Sequence, residues 1–325
     1  MTFRGTELTG WLRHAWVYFR TFPFSFFMQS RWQGVFPALW TPTDASGALV
    51  TGALADQVRF LKQSGCDGVL ALGSTGEFVH LDVAQRNEGL RWIVEAAEGW
   101  PVIANCSDVS PRRVAELGRF ARVAGAQAIS LLPPWFFASP PSDVVDFLVR
   151  GAEASGLPLM LYNFPERTGH RLGLEAIAAV CDRVPVVAVK QSGDEFAYHR
   201  ELAALGVEKQ YVLITGADTR MPEAHAMGAR GVVSGQSNAI PEWVVGVWSA
   251  VVNGEPAQAK DQARWLAEFT QITGVLEFPL SISAGMQARG RPAGEPKAVL
   301  SGATRLQLAR AIAEAKACLA GAGLS

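Results

Sequence analysis

Two side chains with reactive groups end neighbouring apolar runs of this sequence. Lys190 ends the run VPVVAVK, and Tyr162 ends the run LPLMLY. An ammonium group held among valines is costly unless it is paired or uncharged. An uncharged lysine amine is the nucleophile that forms a Schiff base with a carbonyl substrate, and a nearby phenol can accept and return protons. The pair therefore predicts imine chemistry. The alternatives are a buried ion pair or a misplaced strand for Lys190, and a core position for Tyr162.

The other lysines are predicted to be ordinary solvated groups. The chain has six lysines, and five of them fall in helical or loop segments where an exposed ammonium group is normal, namely Lys62, Lys209, Lys260, Lys297 and Lys316. Lys190 is the exception, because the residues around it place it in the interior.

A glycine-bordered loop could bind the carboxylate of a carbonyl substrate. The loop GSTGE spans residues 73–77 and contains Ser74 and Thr75. Backbone amides beside glycines, together with two hydroxyl groups, suit such an anion. Gly-Ser-Thr loops are common, so the pentapeptide alone does not identify its ligand.

The elements that must position these groups repeat eight times along the chain. Short apolar runs alternate with stretches of helical periodicity, as in parallel strands joined by crossover helices. The runs cover residues 34–42, 68–73, 101–106, 128–134, 157–165, 186–193, 211–218 and 231–238. They predict an α/β fold, a (β/α)8 TIM barrel with additional C-terminal helices, whose reactive groups lie at the C-terminal strand ends. A Rossmann sheet is the alternative, but neither GxGxxG after the first run nor GxxxxGKS/T is present.

The periodicity also predicts how the chain is divided. Residues 31–240 are expected to form the barrel, and residues 241–325 its last helix and a helical extension. Residues 1–30 are expected to be an N-terminal extension. Its aromatic segment 1–27 suits neither a signal peptide nor a membrane span. It is interpreted as a poorly ordered extension or sequence upstream of a start at Met28, with an interfacial or partner-binding segment as the alternative.

Composition excludes several classes of partner. Hydrophobic residues make up 49% of the chain and charged residues 18%, and the net charge is −1, so no basic stripe is available for nucleic acid. The five histidines are scattered without HxxxH or HExxH spacing, so no metal site is predicted. The cysteines show no CxxC spacing and are interpreted as structural thiols of a cytoplasmic protein, at Cys66, Cys106, Cys181 and Cys318.

Several motifs taken together resemble those of one known family. These are GVFPALWTPTDASGAL at the first run, LGSTGE at the second, LYNFPERTG at the fifth and VVAVKQSG at the sixth, with weaker similarity in ITGAD and GVVSGQSN. The chain thereby resembles the dihydrodipicolinate synthase/N-acetylneuraminate lyase family over about residues 33–320, including the interval from Tyr162 to Lys190. The motif set is specific for the family but not for a substrate.

The resemblance implies a role for each matching residue. Lys190 corresponds to the Schiff-base lysine, and Tyr162 to the tyrosine that shuttles protons during imine formation and during carbon–carbon bond making or breaking. Ser74 and Thr75 correspond to the pair that holds the carboxylate of the 2-oxo acid. Val233 falls where a backbone carbonyl lines the pyruvate pocket.

Two further residues are implicated in binding the rest of the substrate. Arg167 corresponds to an arginine that grips the second substrate's carboxylate in the synthase branch, although a loop arginine is often solvated or ion-paired. Asp218 falls where the sugar-acid aldolases of the family bind substrate hydroxyls. It could equally cap the following helix.

The chain departs from the synthase pattern after the fourth run. Synthases carry a tyrosine pair there, one of which completes a proton relay across a subunit interface, whereas this chain has PPWFFASP. Trp135, Phe136 and Phe137 cannot relay protons, so synthase activity is in doubt. The aromatic side chains indicate a drier entrance or packing at a subunit interface.

These observations favour a class I lyase that reversibly cleaves a 2-keto-3-deoxy sugar acid to pyruvate and an aldehyde. The alternatives are a dehydratase of such an acid, a 4-hydroxy-tetrahydrodipicolinate synthase, and a non-catalytic sensor of 2-oxo acids. The imine is itself the electron sink, so no cofactor is predicted. The resemblance implies a homo-oligomer, a dimer or tetramer, for which the apolar segment WVVGVWSAVV offers a contact surface.

Overall fold

The computed structural model describes residues 30–324 and contains eight parallel strands that alternate with helices. The interpretation of segment 1–27 and the start at Met28 lie outside the described residues. The strands, β1 to β8, are Gly34–Pro37, Val69–Ala71, Val102–Asn105, Ala128–Leu131, Leu159–Asn163, Val186–Gln191, Val212–Thr215 and Gly231–Ser234. Each lies within one predicted run, so the predicted (β/α)8 barrel is confirmed.

The helices follow the strands in regular alternation and continue beyond β8. Helices α1 to α12 are Thr51–Gln63, Val83–Ala97, Pro111–Ala124, Pro141–Ser155, Pro165–Thr168, Leu174–Cys181, His199–Lys209, Met221–Ala226, Pro241–Val252, Lys260–Thr273, Leu280–Ala288 and Gly302–Gly321. The last three are the predicted additional C-terminal helices. None of the helices in residues 30–324 is long and apolar enough to cross a membrane.

The strands are paired in the order β1-β8-β7-β6-β5-β4-β3-β2. Between β1 and β2, the two ends of this order, the described residues contain a single parallel bridge, which joins Ala38 to Leu70. At this seam the Leu39 amide donates to the Leu70 carbonyl at 2.9 Å. The β1–β8 pair, by comparison, runs from Gly34 to Pro37 in register. The seam between β1 and β2 therefore has the fewest strand contacts in the barrel.

Alternating strand residues fill the barrel and cover its outside. Met160 and Ala188 belong to the buried cluster inside the barrel, while Leu161 and Val189 pack in the larger core between strands and helices. Because side chains alternate along a strand, Tyr162 in β5 and Lys190 in β6 point into the barrel. The apolar strand composition thus follows from burial on both faces.

The apolar helix α9 does not leave its face open as a contact surface. Trp243 and Trp248 are 4% and 5% exposed in the single chain. The Trp243 ring stacks on Trp265 of α10, with centroids 6.4 Å apart, and meets Phe269 edge-on at 6.0 Å. The expectation that WVVGVWSAVV is a subunit surface is wrong for these two side chains, because α10 covers Trp243 and His225 of α8 meets Trp248 edge-on at 5.8 Å.

The four cysteines are free thiols, and three of them are fully buried. Burial raises the pKa of Cys106 and of Cys181 to about 12, and that of Cys318 to about 11. Thiols of this kind are poor nucleophiles at neutral pH, as structural thiols are.

Candidate active site

Lys190 and Tyr162 lie side by side at the C-terminal ends of β6 and β5. The two residues are partners in the parallel register of these strands. The Lys190 Nζ atom lies 4.0 Å from the centroid of the Tyr162 ring. Lys190 is 5% exposed and Tyr162 3% exposed. The structure therefore places an amine and a phenol together in the barrel, screened from bulk water.

Aromatic residues from three loops surround the tyrosine. Phe164 stacks on Tyr162 with ring centroids 5.8 Å apart. Trp135 meets Phe78 edge-on at 5.7 Å, and both rings pack in the cluster that contains Tyr162. The Trp135 indole of the PPWFFASP loop thus belongs to an aromatic wall beside Tyr162 within the single chain. This aromatic wall consists of Phe78, Trp135 and Phe164.

The other two aromatic residues of that loop face outward. Phe136 is 86% exposed and Phe137 75% exposed, and their rings meet edge-on at 4.8 Å. Phe136 has a φ of 82°, a left-handed conformation that bulky residues rarely adopt. The loop therefore presents two apolar side chains beside the wall that Trp135 forms.

A buried amide pair fixes the strand ends that carry the lysine and the tyrosine. Asn163 follows Tyr162, and Gln191 follows Lys190; the Asn163 Nδ2 donates to Gln191 Oε1 at 2.7 Å. The Asn163 Oδ1 accepts from the Leu172 amide at 2.9 Å. Sequence reasoning missed this pair, although the signal was present as a polar residue directly after each reactive one.

The GSTGE turn is compact and lies against the ends of β1 and β8. The Glu77 amide donates to the Ser74 carbonyl at 3.0 Å. A Cβ on Gly76 would lie 2.6 Å from Thr41 Oγ1, so no larger residue fits there. Thr75 is 4% exposed, and its Oγ1 lies 3.8 Å from the position of a Cβ on Gly235. The Thr75 hydroxyl thus lies in the interior, beside the residue that follows β8, while Ser74 is half-buried in the same turn.

A second lysine is buried beside this turn. The side chain of Lys297 is 4% exposed, and its Nζ donates to Glu77 Oε2 at 2.9 Å and to the Thr41 carbonyl at 2.6 Å. The ammonium group also lies 4.8 Å from the Trp40 ring. Burial lowers the pKa of Lys297, against the charge of Glu77. The expectation that Lys297 is solvated is therefore wrong, because a partner 220 residues away in sequence covers it.

Arg167 lies at the mouth of the site, whereas Val233 lies deep inside the barrel. Arg167 is exposed in α5, and its guanidinium carbon lies 5.9 Å from the Phe164 ring and 6.0 Å from the Phe278 ring. It is thus at the mouth, over the ring that stacks on Tyr162. Val233 is 2% exposed and belongs to the cluster inside the barrel.

Asp218 follows β7 and contacts the segment that follows β8. Its Oδ2 accepts from the Gln236 amide at 3.4 Å. Helix α8 begins without a side-chain cap, so the capping alternative is not what the structure shows. Burial raises the pKa of Asp218 to about 6, against hydrogen bonds from Ser234 and the backbone and the charge of Lys190. Asp218 Oδ1 and Gln236 Oε1 are buried and find no hydrogen-bond partner within the described residues.

Replacing Asp218 with asparagine is expected to change how stability depends on pH. A raised carboxyl pKa means that the proton stabilises the fold below the ordinary value of 3.8, and that this contribution is lost as the pH rises past about 6. The unfolding free energy of the wild type, relative to Asp218→Asn, should therefore fall by up to about 3 kcal/mol between about pH 4 and pH 7. Urea unfolding across this range measures the difference, and a difference that does not change with pH would contradict the assignment.

A buried arginine packs against the Phe78 ring of the aromatic wall. Arg86 is 2% exposed, donates to the carbonyls of Asn105 and Ser107 at 2.9 and 3.0 Å, and lies 5.0 Å from the Phe78 ring. Burial lowers its pKa to about 10. Its position on α2 gave no sequence signal, because the arginine stands in an ordinary amphipathic pattern.

The eight-stranded barrel brings a buried lysine and a buried tyrosine together at the C-terminal ends of β6 and β5. The sequence profile described as the dihydrodipicolinate synthetase family matches residues 31–315. The chain therefore belongs to the dihydrodipicolinate synthetase family, and the resemblance inferred from its motifs is confirmed.

Similar proteins include both synthases and aldolases. A 4-hydroxy-tetrahydrodipicolinate synthase of Sorangium cellulosum is 31% identical over 293 residues, which cover 86% of this chain and 94% of that protein. The crystal structure of YagE, a prophage protein of this family from E. coli K12 in complex with pyruvate, is 26% identical, with a TM-score of 0.81 over 90% of this chain and 99% of YagE. The sialic acid aldolase of Ruminococcus gnavus, at 22% identity, shares the fold with a TM-score of 0.79 over 88% of this chain and 99% of the aldolase.

Proposed function

We propose that this chain is a class I lyase that forms an imine between Lys190 and a 2-oxo acid and reversibly cleaves a 2-keto-3-deoxy sugar acid to pyruvate and an aldehyde. The observation that carries the proposal is the position of the Lys190 Nζ 4.0 Å from the Tyr162 ring, with both residues buried at adjacent strand ends. This is the end of the barrel at which reactive groups are placed in TIM-barrel enzymes.

The first step is attack of the Lys190 amine on the ketone carbon of the substrate. The nitrogen lone pair forms the C–N bond, and the ketone oxygen, protonated twice, leaves as water. Tyr162 is the proton donor and acceptor in this exchange, since its phenol adjoins the amine. The product is a protonated imine, which withdraws electrons from the neighbouring carbons.

The second step breaks the bond between the third and fourth carbons of the substrate. The bonding pair moves toward the protonated imine to give an enamine, while the hydroxyl on the fourth carbon loses its proton to Tyr162 and becomes the aldehyde. Protonation of the enamine and hydrolysis of the imine then release pyruvate and the free lysine. The aromatic wall excludes water while the enamine exists.

The remaining predicted residues hold the substrate in this scheme. Ser74 and Thr75 bind the carboxylate of the 2-oxo acid, beside the Val233 carbonyl. Arg167 receives an anionic or hydroxylated far end at the mouth. The buried acceptors of Asp218 and Gln236 favour a ligand that brings hydroxyl donors, since a buried oxygen without a partner costs about 1–3 kcal/mol. This supports a hydroxylated acid over an unsubstituted one.

A synthase acting on pyruvate and an aldehyde is the second candidate. It is favoured by the relative from Sorangium cellulosum, which carries that name and covers most of this chain. Trp135, Phe136 and Phe137 stand against it, because none has an ionisable hydroxyl for a relay. A dehydratase uses the same imine but removes a proton from the third carbon to form the enamine, which then expels the hydroxyl of the fourth carbon as water. A non-catalytic sensor would bind the 2-oxo acid without forming the imine.

Borohydride reduction of the wild-type protein in the presence of pyruvate tests the proposal. One pyruvate-sized mass should be added, and peptide mapping should place it on Lys190. Incubation with a panel of 2-keto-3-deoxy sugar acids should then release pyruvate. Condensation of pyruvate with aspartate semialdehyde would identify a synthase, release of water without pyruvate a dehydratase, and the lack of any adduct would favour the sensor.

We also propose that the enzyme works in the cytoplasm as a homo-oligomer. Free cysteines with raised pKa values suit a reducing compartment. Because the tryptophans of α9 are covered within the chain, we propose the exposed aromatic pair Phe136 and Phe137 as side chains that a second subunit buries.

A further inference from the structure

We infer that Lys297 is a positioning residue for the carboxylate-binding turn 73–77, and that it acts through its ion pair with Glu77. The inference rests on the proposed function, because it takes Ser74 and Thr75 as the ligands of the substrate carboxylate. Lys297 itself contacts the far side of the turn and is not placed against the reacting atoms.

Lys297 connects the ends of β1 and β2, the neighbouring strands with the fewest contacts in the barrel. Its Nζ donates to the carbonyl of Thr41, which follows β1, and to the carboxylate of Glu77, which follows β2. Between these strands the described residues contain only the bridge from Ala38 to Leu70. The ammonium group therefore closes the barrel at the catalytic end, where the strands themselves no longer pair.

The pair holds the turn in a conformation that it would not otherwise favour. Glu77 has a φ of 56° and a ψ of 41°, the left-handed region that costs a residue with a side chain about 1 kcal/mol or more. The same residue donates its amide to Ser74, so its conformation decides how the turn closes. An anchored carboxylate at Glu77 thus fixes the amides and hydroxyls that precede it.

The segment that carries Lys297 is itself fastened to the loop after β1. Trp40 Nε1 donates to the Ala293 carbonyl at 2.7 Å, and the Glu295 amide donates to the Thr43 carbonyl at 2.7 Å. A Cβ on Gly294 would lie 2.5 Å from the Thr43 carbonyl oxygen, so the backbones are in close contact. These bonds hold the backbone just before Lys297 beside the loop that follows β1.

The Lys297 ammonium group also neutralises the Glu77 carboxylate, which adjoins the turn that we propose binds the substrate carboxylate. The Glu77 side chain is only 10% exposed, so water screens it poorly. Without Lys297 this charge would repel the carboxylate of a 2-oxo acid in the adjoining turn. Loss of the lysine should therefore weaken capture of carboxylate-bearing ketones in particular.

Trapping of the imine with two ketones tests this role. Lys297→Met should lower the second-order rate constant for borohydride trapping of pyruvate on the order of 10- to 100-fold, the effect expected of a lost charge-assisted hydrogen bond. Trapping of hydroxyacetone, which has no carboxylate, should change by less than about twofold, because Lys190 and Tyr162 are untouched. The matched control is Lys209→Met, which removes the 2.8 Å pair with Asp182 on the barrel exterior and should leave both rates unchanged.

Other outcomes separate the two proposals. Equal losses with both ketones, or an unchanged pyruvate rate, would overturn the positioning role while leaving the lyase proposal intact. A wild-type protein that traps neither ketone would overturn the lyase itself. If thermal melting shows that Lys297→Met does not fold, Glu77→Gln tests the same contact: it should lower the pyruvate rate selectively, and an equal effect on both ketones would again reject the role.

Discussion

Replacement of Lys190 with methionine is expected to abolish imine trapping and to lower kcat/KM at least about 10,000-fold. Methionine resembles lysine in length and keeps the buried stem, while it removes the nucleophile. Because the Lys190 side chain is 5% exposed and lies over the Tyr162 ring, the apolar replacement should fit without loss of the fold. Borohydride mass spectrometry and pyruvate-release assays measure the two effects.

The matched control for this variant is Lys260→Met, since Lys260 is exposed on α10. It should trap pyruvate as the wild type does. If Lys190→Met still acquired a pyruvate-sized mass, or if the mass in the wild type mapped to another of the six lysines, the assignment of the nucleophile would have to be abandoned.

Replacement of Tyr162 with phenylalanine is expected to lower kcat by roughly 100- to 10,000-fold, the range for loss of one acid–base group. The ring would remain stacked on Phe164 and beneath Lys190, so the wall and the amine should keep their positions. The adduct on Lys190 should still form, but more slowly, because proton transfer then depends on water. A time course of borohydride trapping with pyruvate distinguishes this slow imine formation from the complete lack of imine expected when the lysine is replaced.

Tyr211→Phe provides the comparison, because the Tyr211 hydroxyl donates to the Leu202 carbonyl at 2.7 Å, away from the barrel mouth. That variant should lose some stability and keep its kcat. A Tyr162→Phe enzyme with wild-type kcat and wild-type trapping would leave no role for the phenol in proton transfer, and another group would have to carry it.

The strands could be predicted from sequence because burial on both faces leaves an unbroken apolar run. The predicted runs were too long at their C-terminal ends. The first predicted run spans residues 34–42, whereas β1 ends at Pro37, and the seventh spans residues 211–218, whereas β7 ends at Thr215. These surplus residues belong to the loops that follow the strands. Contacts from other parts of the chain bury residues 38–42 and partly bury residues 216–218, so their sequences resemble those of strands.

The reactive groups were predictable for the same reason that the strands were. A lysine and a tyrosine at the ends of buried apolar runs are polar residues where apolar ones are expected, and such an inconsistency marks a functional site. Lys297 gave no comparable signal, since PAGEPKAVL reads as a solvated loop and the burial comes from Glu77 and Trp40. Local patterns cannot report a contact between residues so far apart in the chain.

The place of Lys297 in the chain also bears on when the enzyme becomes competent. Proteins are synthesised from the amino terminus, so β1, β2 and the turn 73–77 leave the ribosome long before residue 297. A nascent chain that already contains the nucleophile would still lack the cation that settles the turn and neutralises Glu77. If the turn 73–77 binds the substrate carboxylate as we propose, incomplete polypeptides should bind such a substrate poorly, and this ability should be acquired only near the end of translation.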